Sequence, residues 1–141
     1  MRVVLAESAE DLARCYPVLS QLRAHVDRDD FLRRVEVQHR EGYRIAFVER
    51  DGAVSAVAGF RVMESLGRGR FLQLDDLVTE ESVRSEGYGE VLFTWLSDHA
   101  RTLGCERIDL DVAVHRGEAH RFFCRQRMQI AAHHFTLPLL P

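Results

Sequence analysis

The sequence contains no lysine and no asparagine, and its nineteen basic side chains are all arginine. Any chemistry that needs a lysine, from Schiff-base formation to a lysine-containing phosphate loop, is excluded. Cysteine is scarce: Cys15, Cys105 and Cys124 are odd in number, far apart and without C-x-x-C spacing. That argues against a disulfide framework and a thiolate metal site, and reads as reduced thiols. No stretch approaches the ~18 consecutive apolar residues of a membrane span, and Met1-Arg2-Val3-Val4-Leu5 opens without the apolar core of a secretion signal. A soluble, cytoplasmic protein with no membrane partner is expected. Net charge is −3, with no basic block, so nucleic acid is not expected as a partner.

What is present fits one domain over residues 1–141. A hydrophobic fraction of 46% is that of a globular chain, and a chain of this size buries roughly 68% of its unfolded surface without metal or disulfide support. Val3 to Leu5 predicts a strand. Ser8 then caps a helix whose Leu12, Cys15, Tyr16, Leu19 and Leu22 share one face, with Pro17 predicting a kink or break. Asp29 or Asp30 is expected to cap a second helix that stops at Gly42.

The period then changes from helix to strand. Tyr43, Ile45 and Phe47 alternate with their neighbours, Asp51-Gly52 is a two-residue hairpin signal, and Val54 to Val62 alternates on the return. Gly67-Arg68-Gly69 turns the chain into Phe71 to Thr79. A helix follows with Val91, Leu92, Trp95, Leu96, His99 and Leu103 inward and Gly104 just past its end. Arg107 to Val112 predicts a parallel strand, Gly117 to Arg127 a short helix, and Ile130 to Leu137 a sixth strand before Pro138 and Pro141. The expectation is an α+β fold with one mixed six-stranded sheet and about four helices.

Chemistry concentrates where the fourth strand meets the third helix. Arg84-Ser85-Glu86-Gly87-Tyr88-Gly89 has the spacing [R/Q]-x-x-G-x-G, which brings unpaired N–H groups to a helix start, where anions bind. A pyrophosphate suits such a turn. Two glycines in a strand-to-helix turn are also an ordinary structural device, and the motif is not a full dinucleotide fingerprint.

The element order, Leu77-Val78-Thr79 leading into Arg84-x-x-Gly87-x-Gly89, and Ala119-x-x-Phe122-Phe123 about 30 residues later make the chain resemble the GNAT family of acyl-CoA N-acyltransferases. Leu110 to Phe123 also looks like a subgroup of small bacterial members. The resemblance implies that the backbone of Leu77, Val78 and Thr79 pairs with the pantetheine arm of acetyl-CoA, as an added strand would. It implies that Arg84, Ser85, Glu86, Gly87, Tyr88, Gly89 and Glu90 hold the pyrophosphate. The fourth and fifth strands, carrying Leu77 and Ile108, would splay to admit the thioester, beside a bulge near Asp75 or Asp76.

Departures from the family pattern are specific. Phe123 stands where many members have a tyrosine that protonates the leaving thiolate, a step commonly worth ~10²–10⁴-fold. Cys124 adjoins it but points about 100° round the helix. Arg116 stands near the place of a frequent asparagine, Ser85 and Glu86 replace glycine and a basic residue, and Arg127-Met128 replaces Gly-Phe. One strand follows the last helix where many relatives have two, which implies a sheet edge that a second subunit covers.

For the acceptor, Asp75 or Asp76 is a candidate general base, with pairing to Arg61 or Arg70 as the structural alternative. His120 and His134 are candidate acids, bases or substrate contacts, and no metal site is expected. The clustered acids Asp75, Asp76, Glu80 and Glu81 lean towards a cationic small molecule or peptide amine. Three functions follow: an acetyl-CoA-dependent N-acyltransferase, a GNAT-fold domain that binds acyl-CoA without turnover, and a nucleotide-binding regulatory domain.

Overall fold

A computed structural model describes residues 1–141. The elements are β1 (Arg2–Leu5), α1 (Ala9–Leu22), α2 (Arg28–Arg40), β2 (Arg44–Arg50), β3 (Ala53–Ser65), β4 (Gly69–Thr79), a single 3₁₀ turn (Glu81–Val83), α3 (Tyr88–Thr102), β5 (Arg107–Leu110) and α4 (Gly117–Arg125). Residues 1–110 and 111–141 are two compact units.

In the first unit the sheet order is β1-β2-β3-β4-β5. The first four strands are successively antiparallel, and β5 joins β4 in parallel through α3. The β2–β3 hairpin forms at Asp51-Gly52, with φ of 52° and 78°, the double positive φ that a two-residue turn needs. Strand alternation sends Ile45, Phe47, Val57 and Val78 to one face, where they pack with Cys15, Val18 and Leu19 of α1 and Phe31 and Val35 of α2. Helix α3 packs on β2, β3 and β4 and buries Leu92, Leu96 and Ala100. Ile45 to Val48 are all buried, as befits a strand covered on both faces.

Helix α1 begins as expected, the Ser8 side chain accepting the Asp11 N–H at 3.0 Å. It runs unbroken through Pro17. A proline removes one helical N–H while its fixed φ is helical, and the buried Cys15, Val18 and Leu19 on either side hold that turn. The cap of α2 is Asp27, which accepts the Asp30 N–H at 2.8 Å, two residues before the expected Asp29. Asp29 and Asp30 stand instead in the first turn, where the dipole also favours acids.

The sheet has five strands, not six. β5 ends at Leu110, and no residue from Ile130 to Leu137 is in a strand. A strand exists only where a neighbour takes its N–H and C=O groups. Apolar alternation marks a segment as able to pair without supplying the partner. In the second unit, α4 ends with Arg127 at φ 68°, its N–H on the Cys124 carbonyl at 3.0 Å and the Met128 N–H on Phe123 at 3.1 Å. An arginine thus takes the left-handed conformation that glycine takes without strain.

Candidate functional site

Strand β4 is paired unequally on its two sides. Towards β5 the ladder covers only Phe71 to Leu74, opposite Arg107 to Leu110. Towards β3 it continues to Thr79. The peptide groups of Asp75 to Thr79 therefore have no β5 partner, and can bond an extended amide-bearing ligand as another strand would. The separation begins after Leu74; Ile108 itself still pairs with Leu72.

On the β3 side, Gly59 pairs with Asp76 and Phe60 with Leu74, so Asp75 is the extra residue of a β-bulge. The two carboxylates have separate partners. Asp75 takes a two-pronged contact from Arg61, with Nε to Oδ2 at 2.7 Å and Nη2 to Oδ1 at 2.8 Å. Asp76 accepts the Tyr43 hydroxyl at 2.6 Å on Oδ2 and the Arg23 Nε at 2.9 Å on Oδ1. Arg23 Nη2 also reaches the Asp75 carbonyl at 3.1 Å.

Tyr43 is fully buried, just before β2. Burial, then the charge of Asp76, pushes its phenol well above the usual range, so it stays a protonated donor. Its ring can cross the sheet because residue 59 is glycine: a Cβ there would lie 1.7 Å from the Tyr43 hydroxyl.

Asp76 and Tyr43 open on a cavity of about 280 Å³ whose wall includes Tyr16, Leu19, Phe31 and Val35. A second cavity, about 540 Å³, lined by Phe60, Val62, His99 and others, contains none of the predicted site residues.

The turn after β4 gathers backbone N–H groups. Ser85 at φ 70° and Gly87 at φ 89° alternate left-handed residues with ordinary ones, an arrangement that gathers successive N–H groups. The first α3 bond runs from Val91 N–H to the Gly87 carbonyl at 3.1 Å. The amides of Tyr88, Gly89 and Glu90 have no helical carbonyl to donate to. Arg84 Nε holds the Thr79 carbonyl at 3.3 Å, which folds its side chain back along the approach to the turn. The Tyr88 side chain is buried and accepts from Arg50 Nη1, so only its backbone remains for a ligand. Glu86 is exposed. Glu80 is engaged by Ser82 and by Gln21 Nε2 at 3.1 Å, which lowers its pKa.

The other predicted side chains belong to residues 111–141. His120 Nε2 lies 3.1 Å from the Ala113 carbonyl, and His134 sits between Asp111 at 3.3 Å and Thr136 at 3.0 Å. Phe123 packs edge-on against Phe122, ring centroids 5.1 Å apart. Sequence reasoning missed Tyr43, Arg23 and Gly59. The available signal was Gly59 itself: a glycine inside an apolar strand marks a close approach, and a buried tyrosine needs a hydroxyl partner.

The chain thus has an α+β fold in which a bulged β4 loses its β5 partner after Leu74 and runs on to an amide-rich turn at the start of α3. The acetyltransferase (GNAT) family profile matches residues 6–127, and the chain belongs to that family. It is 35% identical over 117 residues to the uncharacterised N-acetyltransferase YhdJ of Bacillus subtilis, covering 82% of each chain. It is 28% identical over 98 residues to an aminoalkylphosphonate N-acetyltransferase of Salmonella typhimurium, covering 69% of this chain and 62% of the other. An aminoglycoside N-acetyltransferase solved in complex with CoA shares the fold, with a TM-score of 0.82 and 12% identity over 97% of this chain and 94% of that one. No helix is long and apolar enough to cross a membrane.

Proposed function

We propose that the protein is an acetyl-CoA-dependent N-acetyltransferase acting on a primary amine, with residues 1–141 as one catalytic domain. The observation that carries this reading is the unpaired stretch of β4 from Asp75 to Thr79, which runs directly into the amide-rich turn. The backbone of Leu77, Val78 and Thr79 would bond the pantetheine amides, and the turn from Arg84 through Ser85, Glu86, Gly87, Tyr88 and Gly89 to Glu90 would hold the pyrophosphate.

The amine nitrogen attacks the thioester carbonyl, a C–N bond forms, and the C–S bond breaks to release coenzyme A. The proton lost by the amine passes to Asp76, directly or through water. Tyr43 and Arg23 fix Asp76 by one bond on each oxygen. Both carboxylates are held by an arginine, but Asp76 alone lines the cavity, so Asp76 is the better placed base. The departing thiolate needs a proton. Phe123 cannot give one, and His120 and His134 are the candidates on the second unit. Positioning, with a backbone N–H near Val78 on the thioester oxygen, would supply most of the acceleration.

Phe123 favours a second reading, in which the protein binds acyl-CoA without efficient turnover. The two part in one experiment: calorimetric titration with acetyl-CoA beside thiol release with a panel of amines. Binding with amine-dependent release supports the enzyme; binding alone supports the sensor. Stabilisation by ATP or NAD but not by CoA would sink both. Gly87→Val is expected to abolish CoA binding, since φ 89° and the close backbone approach suit glycine alone; unchanged affinity would move the cofactor elsewhere.

A homodimer belongs to the same reading. Ile130, Phe135, Leu137, Leu139 and Leu140 are all more than three-quarters exposed, an apolar run suited to cover by a second copy.

A further inference from the structure

The cavity over Asp76 bears on the class of amine, and the inference rests on the acetyltransferase reading. Its wall is apolar and aromatic: Tyr16 and Phe31 meet with ring centroids 5.2 Å apart, with Leu19 and Val35 alongside. Its charged lining is unequal. Asp76 is the only carboxylate, while Arg23, Arg34 and His25 also line the space.

Asp76 is already matched by Arg23 and Tyr43. Arg34 is exposed on α2 and makes no hydrogen bond or close ion pair; the charge of Asp30 is felt at Arg34, but its carboxylate is bonded by Arg33 at 2.7 Å. Of the acids on and after β4, Asp75 is engaged by Arg61 and Glu80 by Ser82 and Gln21. The cavity thus holds one carboxylate, matched by Arg23, and a further guanidinium on Arg34. A second cation would gain little there, whereas an oxyanion would meet a guanidinium with its fork of donors free.

We propose that this cavity binds the acceptor, and that the acceptor is a small amine carrying its own anionic group, a carboxylate or a phosphonate or phosphate. The amino end lies at Asp76, and the anionic end is read by Arg34 with His25. A volume of about 280 Å³ suits a small molecule rather than a folded protein surface. Of the acids that lean towards a cationic acceptor, Asp75 and Asp76 are matched by arginines and Glu80 is held by Ser82 and Gln21, which leaves Glu81 exposed outside the cavity lining.

A matched series tests this: 3-aminopropylphosphonate, 4-aminobutyrate, 3-aminopropanol and propane-1,3-diamine differ only in the group three carbons from the amine. Each is titrated calorimetrically into protein saturated with CoA, and assayed for thiol release from acetyl-CoA. The two anionic amines are expected to bind at least about tenfold more tightly than the alcohol or the diamine, the scale of one charge-assisted hydrogen bond. The better of the two distinguishes phosphonate from carboxylate. Arg34→Gln, an exposed change, is expected to remove that preference while leaving CoA affinity and alcohol binding unchanged. Equal binding of all four, preference for the diamine, no binding of either anionic amine, or equal loss for every amine in Arg34→Gln would each overturn the proposal. Failure of CoA itself to bind, measured first, would instead overturn the acetyltransferase reading.

Discussion

Tyr43 and Gly59 show how one atom at one position can decide a site. A methyl group at residue 59 would occupy the place of the Tyr43 hydroxyl. Gly59→Ala is therefore expected to displace the ring, lose its bond to Asp76 and cost ~1–3 kcal/mol, as overpacking does; urea unfolding beside an acetyl-transfer assay would check both effects. Two buried protons set an alkaline limit on stability. Burial raises the Cys15 thiol from 9.0 to about 12, and Tyr43 is raised above its ordinary 10.0. Each group contributes fully below its unfolded value and loses that contribution as pH climbs towards its folded one. The urea midpoint is expected to fall from about pH 9 upward, first through Cys15 and then through Tyr43. Cys15→Ala should flatten the first part of the decline and Tyr43→Phe the second; an unchanged profile in both variants would refute the assignment.

Among the elements, those with strong periodicity or a hairpin signal were legible in sequence, because one local pattern decides each of them. The cap of α1, the Asp51-Gly52 turn and the glycine turn before α3 all stand where local pattern predicts them, and the bulge stands at Asp75, where the family resemblance implied one. The cap of α2 was less legible because three aspartates, Asp27, Asp29 and Asp30, lie within four residues, and only geometry selects Asp27. The contacts of Tyr43 and Arg23 with Asp76, over sequence separations of 33 and 53 residues, left no local trace. Arg127 is the reverse case: it replaces the glycine of the family pattern, and the residue stands at φ 68° all the same. Arg127→Gly is expected to stabilise by about 1 kcal/mol, visible as a higher melting temperature; a lower one would mean that the arginine side chain makes a compensating contact.

At the scale of the whole molecule, the unpaired final segment matters most. Its alternation reads as a strand, its residues form none, and its apolar side chains are exposed. If a second copy covers them, sedimentation velocity will give a dimer, and a chain ending at Met128 will give a monomer. A monomer for the full chain would leave the exposure without a protein partner. Sequence could not decide this, because strand propensity does not say which chain supplies the neighbour.

The bulge at Asp75 has one more consequence, for solubility. Beyond Leu74, β4 has no β5 partner, and unpaired strand edges invite stray strands from other chains. An extra residue bends and twists the strand just where that exposure begins, spoiling the flat register an incoming strand would need. A flexible ligand with a few amides can follow the bent edge, while a regular β-strand cannot. The irregularity that sends Asp75 and Asp76 to different partners thus also guards the protein against edge-to-edge aggregation.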